Sequence, residues 1–228
     1  MDIEAVVETA RARVFIVDDH PIVRQGLAQM INQEPDLIVC GEAEEASEAL
    51  TAVTTLCPDL LLVDLSLKGS SGLDLIKTMR VQQPTLPMLV VSMHEESLYV
   101  ERVLRAGARG YIMKHEATDA MMHAIRRVLQ GEIYVSDKMT TKLLGRFIMD
   151  APNASATPLE RLSNRELEVL RLIGAGHGTR HIAAALHVSI KTVESHRTHI
   201  KEKLQFQDTG ALLRYAMQWV ESGHVSAQ

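Results

Sequence analysis

The sequence has little cysteine and no long hydrophobic run, and both absences limit the kind of protein it encodes. Its 228 residues include two cysteines, Cys40 and Cys57, in or beside apolar segments. We therefore expect buried free thiols in a reducing cytosol rather than a disulfide. No apolar stretch has the length that spans a bilayer, and residues 1–12 lack the basic start and apolar centre of a secretory signal. These absences predict a cytoplasmic protein without a membrane partner.

Composition and charge indicate two globular modules. Hydrophobic residues make up 46% of the chain, which is enough for packed cores. Residues 1–135 carry 12 Lys and Arg against 20 Asp and Glu, a net charge of −8, whereas residues 136–228 carry 12 against 9, a net charge of +3. An acidic half joined to a mildly basic half favours a second module that faces a polyanion.

Four short apolar runs end in polar or charged side chains. They are 14–17 followed by Asp18 and Asp19, 60–63 followed by Asp64, 88–91 followed by Ser92, and 110–113 followed by Lys114. Such short runs, bounded by turn residues, are typical of strands buried on both faces of a parallel sheet. Because open α/β sheets bind ligands at the carboxyl ends of their strands, we expect these side chains to converge at one edge.

Three carboxylates at one edge of a sheet predict a bound cation. Asp18, Asp19 and Asp64 repel one another, and a hard divalent ion such as Mg²⁺ relieves that repulsion. One carboxylate can then act as a nucleophile toward a phosphoryl group. The ammonium of Lys114 would offset charge on the phosphoryl oxygens, and the Ser92 hydroxyl would donate a hydrogen bond to one of them.

Strand and helix signals alternate through the first half, and a linker follows them. Five strand–helix pairs between residues 14 and 130 predict a doubly wound parallel sheet. Residues 66–72, rich in Ser and Gly, indicate a loop. Ser136 could cap a helix through Ile148, and the small, Pro-punctuated stretch 151–158 is typical of a linker, so we place the domain boundary there.

The second half predicts a helix-turn-helix. Ser163 and Glu166 have the spacing of a capping box. Helical patterns cover about 164–173, 179–186, 190–204 and 209–220, and a tight turn separates the second from the third, which Ser189 caps. Two short helices joined by a tight turn, of which the second is basic, are typical of DNA-binding domains.

The third of these helices carries the side chains that we expect to contact DNA. Lysine, arginine and hydroxyl groups bind phosphates, while residues in the first two turns of a recognition helix meet base edges. The candidates are Lys191, Thr192, Arg197 and Lys201 for the phosphate backbone, and Glu194, Ser195, His196 and Thr198 along the same helix. His196 and His199 stand at helical spacing, but the sequence offers no third metal ligand beside them.

Residues 12–132 resemble a response-regulator receiver domain. The motifs that carry the resemblance are Val-Asp-Asp-His-Pro at 17–21, Leu-Val-Asp-Leu at 62–65, Val-Val-Ser at 90–92 and Gly-Tyr-Ile-Met-Lys at 110–114. The resemblance implies a flavodoxin-like sheet of order 2-1-3-4-5 and phosphorylation of Asp64. It further implies that Asp19, Asp64 and the Ser66 backbone carbonyl bind Mg²⁺, with Asp18 acting through water. Ser92 and Lys114 would contact the phosphoryl group, and Tyr111 occupies the family's switch-aromatic position. Lys68 stands where the family often has Pro.

Residues from about 159 to 223 resemble the LuxR-type DNA-binding domain. The motifs are Leu-Ser-X-Arg-Glu-X-Glu-Val-Leu at 162–170, Ile-Ala at 182–183 and Ser-X-Lys-Thr-Val-Glu-X-His at 189–196. Joined to a receiver, this domain resembles the NarL/FixJ class of two-component regulators. Gly178 and His181 depart from the Ser and Glu that the family usually has. The implied division is an extension at 1–11, a receiver at 12–132, a linker with a helix at 133–158 and the DNA-binding domain at 159–228.

The resemblance implies a transcription regulator and not an enzyme. Its expected partners are a sensor histidine kinase, double-stranded promoter DNA, RNA polymerase and, after phosphorylation, a second copy of the chain. Phosphorylation would draw Ser92 and Tyr111 inward, and an apolar stripe of the last helix, at Leu212, Leu213, Ala216 and Trp219, could pair with its twin. Two alternatives stay open: a Mg²⁺-dependent phosphoryl-transfer enzyme, which would need a substrate-closing cap, and a DNA-binding protein that ignores phosphate.

Overall fold

The computed structural model describes residues 11–68, 70–148 and 158–224. The chain divides into two compact units, Met1–Ile148 and Met149–Gln228. The predicted N-terminal extension, except residue 11, and linker residues 149–157 lie outside the described residues, as do Gly69 and 225–228. Within the described part of the chain, every helix is too short or too polar to cross a membrane.

Five strands among the described residues of the first unit form a parallel sheet. The strands of this unit are β1 (Ala12–Val17), β2 (Leu37–Ala43), β3 (Leu60–Val63), β4 (Ser66–Leu67), β5 (Ser70–Ser71), β6 (Met88–Ser92) and β7 (Gly110–Met113). The sheet has the order β2-β1-β3-β6-β7, which is 2-1-3-4-5 among its five members. Every residue of β3 is buried, because helices cover both faces of the sheet. The predicted doubly wound fold is confirmed.

The described residues of the first unit form six helices. They are α1 (Pro21–Gln33), α2 (Ala46–Leu56), α3 (Gly72–Gln82), α4 (Glu96–Ala106), α5 (Thr118–Leu129) and α6 (Asp137–Ile148). Pro21 opens α1, where its missing N–H costs nothing. The helix expected after Ser136 is present, and the Ser136 hydroxyl accepts a hydrogen bond from the Met139 N–H.

The segment after Asp64 is more ordered than the predicted loop. β4 and β5 pair antiparallel, with Ser66 opposite Ser71 and Leu67 opposite Ser70. Leu65 and Leu67 are buried while Ser66 between them is half-buried. That alternation is the period-two signal of a strand, which the Ser and Gly content of the segment concealed.

The expectation of two buried thiols was wrong for Cys57. Both cysteines are free, and Cys40 is partly buried in β2, but Cys57 is exposed. Cys57 ends α2 in a left-handed conformation, with φ of 45°, immediately before Pro58. Its place in the turn, rather than in the apolar strand that follows, accounts for the exposure.

The second unit is helical. A short 3₁₀ turn (Pro158–Arg161) precedes α7 (Asn164–Gly174), α8 (Thr179–Ala185), α9 (Ile190–Lys203) and α10 (Thr209–His224). The capping box is present, since Ser163 and Glu166 exchange side-chain to backbone hydrogen bonds of 3.3 and 2.6 Å. Ser189 caps α9 by accepting from the Thr192 N–H at 3.0 Å. These caps fix where the two helices begin.

Close packing of α7 on α10 depends on Gly174. A Cβ at this position would lie 2.3 Å from the Ala216 carbonyl oxygen. Val193 and Ile200 of α9 are fully buried. The buried side of α9 therefore faces the core of this unit and leaves its other side to solvent.

Candidate acidic site and DNA-binding helix

The acidic site lies where β1 and β3 end. Their parallel register sets Val17 beside Val63, so that Asp18 and Asp64 follow side by side. One ligand atom from each of Asp18, Asp19, His20 and Asp64 lies within 4.8 Å of all the others. Three carboxylates at this spacing form an oxygen-rich donor set that fits Mg²⁺.

Lys114 pairs with two of the buried carboxylates. Its Nζ lies 2.7 Å from Asp64 Oδ2 and 2.6 Å from Asp18 Oδ2. Burial opposes the charge on the ammonium, but the two carboxylates outweigh burial and raise the pKa of Lys114. Lys114 is therefore a cation held beside Asp18 and Asp64.

Asp64 is held in place through its backbone. Its N–H donates to the Val17 carbonyl at 2.9 Å, and a Cβ at Gly72 would lie 1.9 Å from its carbonyl oxygen. Any side chain at position 72 would thus displace the backbone of Asp64. Burial raises the pKa of Asp64 to about 6, against the opposing effect of Lys114. The carboxylate belongs to a residue that is only 4% exposed.

His94 connects three of the predicted site residues, and sequence reasoning missed it. Its backbone N–H donates to Ser92 Oγ at 3.2 Å, its carbonyl accepts from the Tyr111 hydroxyl at 2.6 Å, and its Nε2 lies 2.7 Å from Ser66 Oγ. Its ring also stacks on Tyr99, with centroids 4.8 Å apart. The two-residue spacing from Ser92 was the only sequence signal, and it does not reveal these contacts.

Tyr111 already occupies the inward position. The whole residue is 1% exposed, and burial raises the pKa of its hydroxyl. The movement of this residue on phosphorylation stays a prediction. Ser92 is likewise fully buried, and its carbonyl accepts from the Lys114 N–H at 2.9 Å.

His20 contacts the acidic site from the solvent side. Its Nδ1 lies 2.7 Å from Asp19 Oδ1, and its backbone N–H donates to Asp18 Oδ1 at 2.9 Å. The imidazole therefore contacts a predicted metal ligand directly.

The predicted DNA contacts lie on one helix, α9, and differ in exposure. Lys191, Glu194, Ser195 and Thr198 are exposed, whereas Thr192, His196, Arg197 and Lys201 are half-buried. Arg197 Nη1 donates to Thr179 Oγ1 at 3.1 Å, which joins α9 to the first turn of α8. Burial lowers the pKa of His196. The exposed members of the set are the ones free of packing on the helix-turn-helix core.

The two departures from the LuxR-type pattern lie at α8. Gly178 is the N-cap of α8 without a side-chain cap, and Gly caps only slightly less well than Ser. His181 stacks on His177, with ring centroids 4.3 Å apart and planes within 10° of parallel. An aromatic stack thus occupies the position of the family's usual carboxylate.

Two family models match the chain. Residues 14–126 match the response regulator receiver domain, and residues 160–216 match the bacterial regulatory proteins of the luxR family. The chain is 39% identical to the oxygen regulatory protein NreC of Staphylococcus epidermidis over 212 residues, which cover 90% of this chain and 96% of that protein. NreC of Staphylococcus carnosus is 38% identical over 211 residues, with the same coverage.

Solved structures show the same two-domain similarity. The response regulator RcsB of Salmonella typhimurium is 29% identical, with a TM-score of 0.63 over 92% of this chain and 98% of that one. RcsB from Salmonella enterica serovar Typhimurium, bound to promoter rprA in the presence of the phosphomimetic BeF₃⁻, is 30% identical, with a TM-score of 0.59 over 91% of this chain and 98% of that one. The chain therefore belongs to the NarL/FixJ family of response regulators, which join a receiver domain to a LuxR-type DNA-binding domain.

Proposed function

We propose that a sensor histidine kinase phosphorylates Asp64 and that the phosphoryl group controls binding of α9 to promoter DNA. The observation that carries this proposal is the buried triad in which Lys114 Nζ lies 2.7 Å from Asp64 and 2.6 Å from Asp18. A buried carboxylate beside a fixed cation is suited to accept a phosphoryl group, because the cation offsets the charge that arrives.

The transfer is a displacement at phosphorus. A carboxylate oxygen of Asp64 attacks the phosphorus of the kinase phosphohistidine, the phosphorus–nitrogen bond breaks, and its electron pair leaves with the imidazole nitrogen. Lys114 then faces the phosphoryl oxygens, and the Ser92 hydroxyl donates to one of them. We assign Tyr111 to the response of the neighbouring loop, since its hydroxyl is bonded to the His94 carbonyl.

Asp19, Asp64 and the Ser66 backbone carbonyl would hold Mg²⁺, with Asp18 acting through water. Carboxylate oxygens of Asp18, Asp19 and Asp64 lie within 4.8 Å of one another, which supports the assignment of these three side chains. When bound, the ion would neutralise charge on the phosphoryl oxygens.

The second unit supplies promoter recognition. Lys191, Thr192, Arg197 and Lys201 would contact phosphates, and Glu194, Ser195, His196 and Thr198 would lie toward the bases. The exposure of Lys191 and Glu194 supports these roles, as does the RcsB structure bound to a promoter. We assign the receiver to residues 12–132, the linker to 133–158 and the DNA-binding domain to 159–228.

The resulting regulator acts in the cytoplasm as a DNA-binding protein rather than as an enzyme, and RNA polymerase is the partner that its output requires. Phosphorylation favours a homodimer on two half-sites, because one helix-turn-helix offers a small footprint. Similarity to a BeF₃⁻-bound regulator supports dependence on phosphate over a phosphate-independent role.

Intact mass spectrometry after incubation with a small-molecule phosphoryl donor and Mg²⁺ tests the acceptor. We expect one added phosphoryl group on the wild-type chain and none on Asp64→Asn. Asp74→Asn is the matched control, because its carboxylate is exposed on α3, and it should be modified like the wild type. Undiminished phosphorylation of Asp64→Asn would refute the assignment.

A further inference from the structure

Arg24 joins the loop that carries Asp18 and Asp19 to the end of β2. Its Nη1 donates to the Asp18 backbone carbonyl at 2.6 Å. Its Nε donates to Glu42 Oε2 at 3.1 Å and its Nη2 to Glu44 Oε1 at 2.8 Å. All three guanidinium nitrogens are therefore bonded, and the side chain is only 12% exposed.

This contact completes the anchoring of Asp18. The Asp18 N–H donates to the carbonyl of Ala43, the last residue of β2, at 3.1 Å. The pairing of β1 with β2 ends at Val17, one residue before Asp18. Arg24 fixes the carbonyl instead. With both backbone groups held, the Asp18 carboxylate is directed toward Lys114 and Asp19 follows in a defined position.

The ion pairs of Arg24 do not by themselves account for this arrangement. Glu42 and Glu44 are 38% and 52% exposed, and partly exposed ion pairs contribute little to stability. The rigid fork of a guanidinium does have a geometric use here, because it can bond one carbonyl and two carboxylates in a single plane. A lysine ammonium cannot reproduce that geometry.

We propose that Arg24 is a positioning residue for the metal site, acting through the backbone of Asp18. The inference rests on the proposed function, because it takes Mg²⁺ as the ion that the three carboxylates bind. Arg24 contacts no predicted ligand atom of the ion. It sets the spacing of the carboxylates before the ion arrives, and its charge offsets the two glutamates that would otherwise add to the local repulsion.

Arg24→Lys is the informative variant, because it keeps the charge and most of the stem while removing the fork. Arg126→Lys is the matched control. Arg126 forms a similar fork on α5, with Nε and Nη2 bonded to Asp36 at 2.8 and 2.7 Å. Asp36 precedes β2, at the opposite edge of the sheet from the acidic site, so this control removes an equivalent network away from the predicted metal ligands.

The experiment titrates MgCl₂ into the full-length, unphosphorylated chain and follows amide NMR shifts of residues 18–20 and 64–66. We expect Arg24→Lys to raise the Mg²⁺ dissociation constant about tenfold, because the loss of a residue that orients a metal ligand weakens metal binding by about that factor. Arg126→Lys should bind like the wild type, while urea unfolding shows similar stability losses in both variants. Glu42→Gln with Glu44→Gln, which keeps the bond to Asp18, should weaken binding less than Arg24→Lys does.

Two outcomes overturn the proposals separately. Equal Mg²⁺ affinity in Arg24→Lys and the wild type would overturn the positioning role while the metal site stands. Absence of saturable Mg²⁺ shifts in the wild type would overturn the metal site itself, and the positioning role with it.

Discussion

Ser136 donates two hydrogen bonds to the carboxylate of Glu96, one from its N–H at 2.8 Å and one from its hydroxyl. Glu96 is the first residue of α4, and Ser136 immediately precedes α6. The same hydroxyl accepts from the Met139 N–H. One contact thus ties the start of α4, close to His94 and Tyr111, to the start of the helix that leads out of the receiver.

We expect Ser136→Ala to loosen α6. Loss of a helix cap destabilises the first turn by about 1 kcal/mol, so amide hydrogen exchange across 137–148 should accelerate by several-fold while β3 and β6 stay protected. Ser97→Ala is the control, since its hydroxyl donates to Glu95 in the same turn of α4. Equal exchange in α6 of both variants would contradict a capping role for Ser136.

Asp19→Ala should weaken Mg²⁺ binding sharply, because it removes a carboxylate ligand. We expect the dissociation constant, measured by NMR titration, to rise about tenfold or more. Asp74→Ala removes an equal charge at an exposed site and should leave binding unchanged. An Asp19→Ala isotherm that matches the wild type would refute the ligand assignment.

Glu166→Gln should destabilise the second unit in a pH-dependent manner. Burial raises the pKa of Glu166, but hydrogen bonds from Lys203 and Ser163 outweigh it, so the pKa is lowered overall. The stabilisation is therefore present above the unfolded pKa of about 4.3 and lost as pH falls through the folded value. We expect a loss of about 1–2 kcal/mol at pH 7 that shrinks in acid.

Fluorescence of Trp219, the single tryptophan of the chain, reports urea unfolding of this unit. Glu202→Gln, at an exposed position of α9, is the control and should cost little at either pH. A Glu166→Gln penalty that stayed constant down to pH 3.5 would show that the charge of Glu166 is not the source of stability.

Lys191→Ala and Glu194→Ala should affect DNA binding differently. Removing Lys191 should weaken binding to all sequences alike and reduce the slope of log K against log salt by about one. Removing Glu194 should relax preference at one base pair, by about 1–3 kcal/mol. Lys138→Ala, an equal charge change on α6, should leave the slope unchanged. If Lys191→Ala altered specificity and kept the wild-type slope, the two roles would be wrong.

Phosphorylation should shift the chain from weak to tight dimers bound to an inverted-repeat-like site. The gain in association free energy cannot exceed the difference between the interaction free energies of the phosphate with the weakly and the tightly associating states. Leu212 and Ala216 are fully buried in α10 and pack within their own unit, so the surface available for pairing is the one with Leu213 and Met217, 40% and 43% exposed.

Sedimentation with and without beryllofluoride measures the association constant. We expect the analogue to strengthen association in the wild type, and Leu213→Gln to reduce that gain. Identical constants, together with unchanged DNA affinity, would leave the coupling between phosphate and pairing unsupported.

The sequence was sufficient to predict the parallel sheet and the carboxylates at its edge. Short apolar runs mark buried strands, and the parallel arrangement requires that residues following those strands share an edge. Sequence position alone therefore predicted that Asp18, Asp64 and Lys114 lie close together. The ion pairs of Lys114 with both carboxylates agree with that prediction. The capping box at Ser163 could also be predicted from the sequence, because its two partners are three residues apart.

Other features depend on contacts between elements that no local pattern specifies. Arg24 reaches Glu42 and Glu44, His94 reaches Ser66, and Ser136 reaches Glu96 across 18 to 40 residues of chain. Such pairs are set by how the helices pack on the sheet, since periodicity reports which face of an element is buried but not which polar group it meets there. The sequence by itself determined the fold and the acidic edge, whereas the tertiary structure decided which residues hold that edge in place.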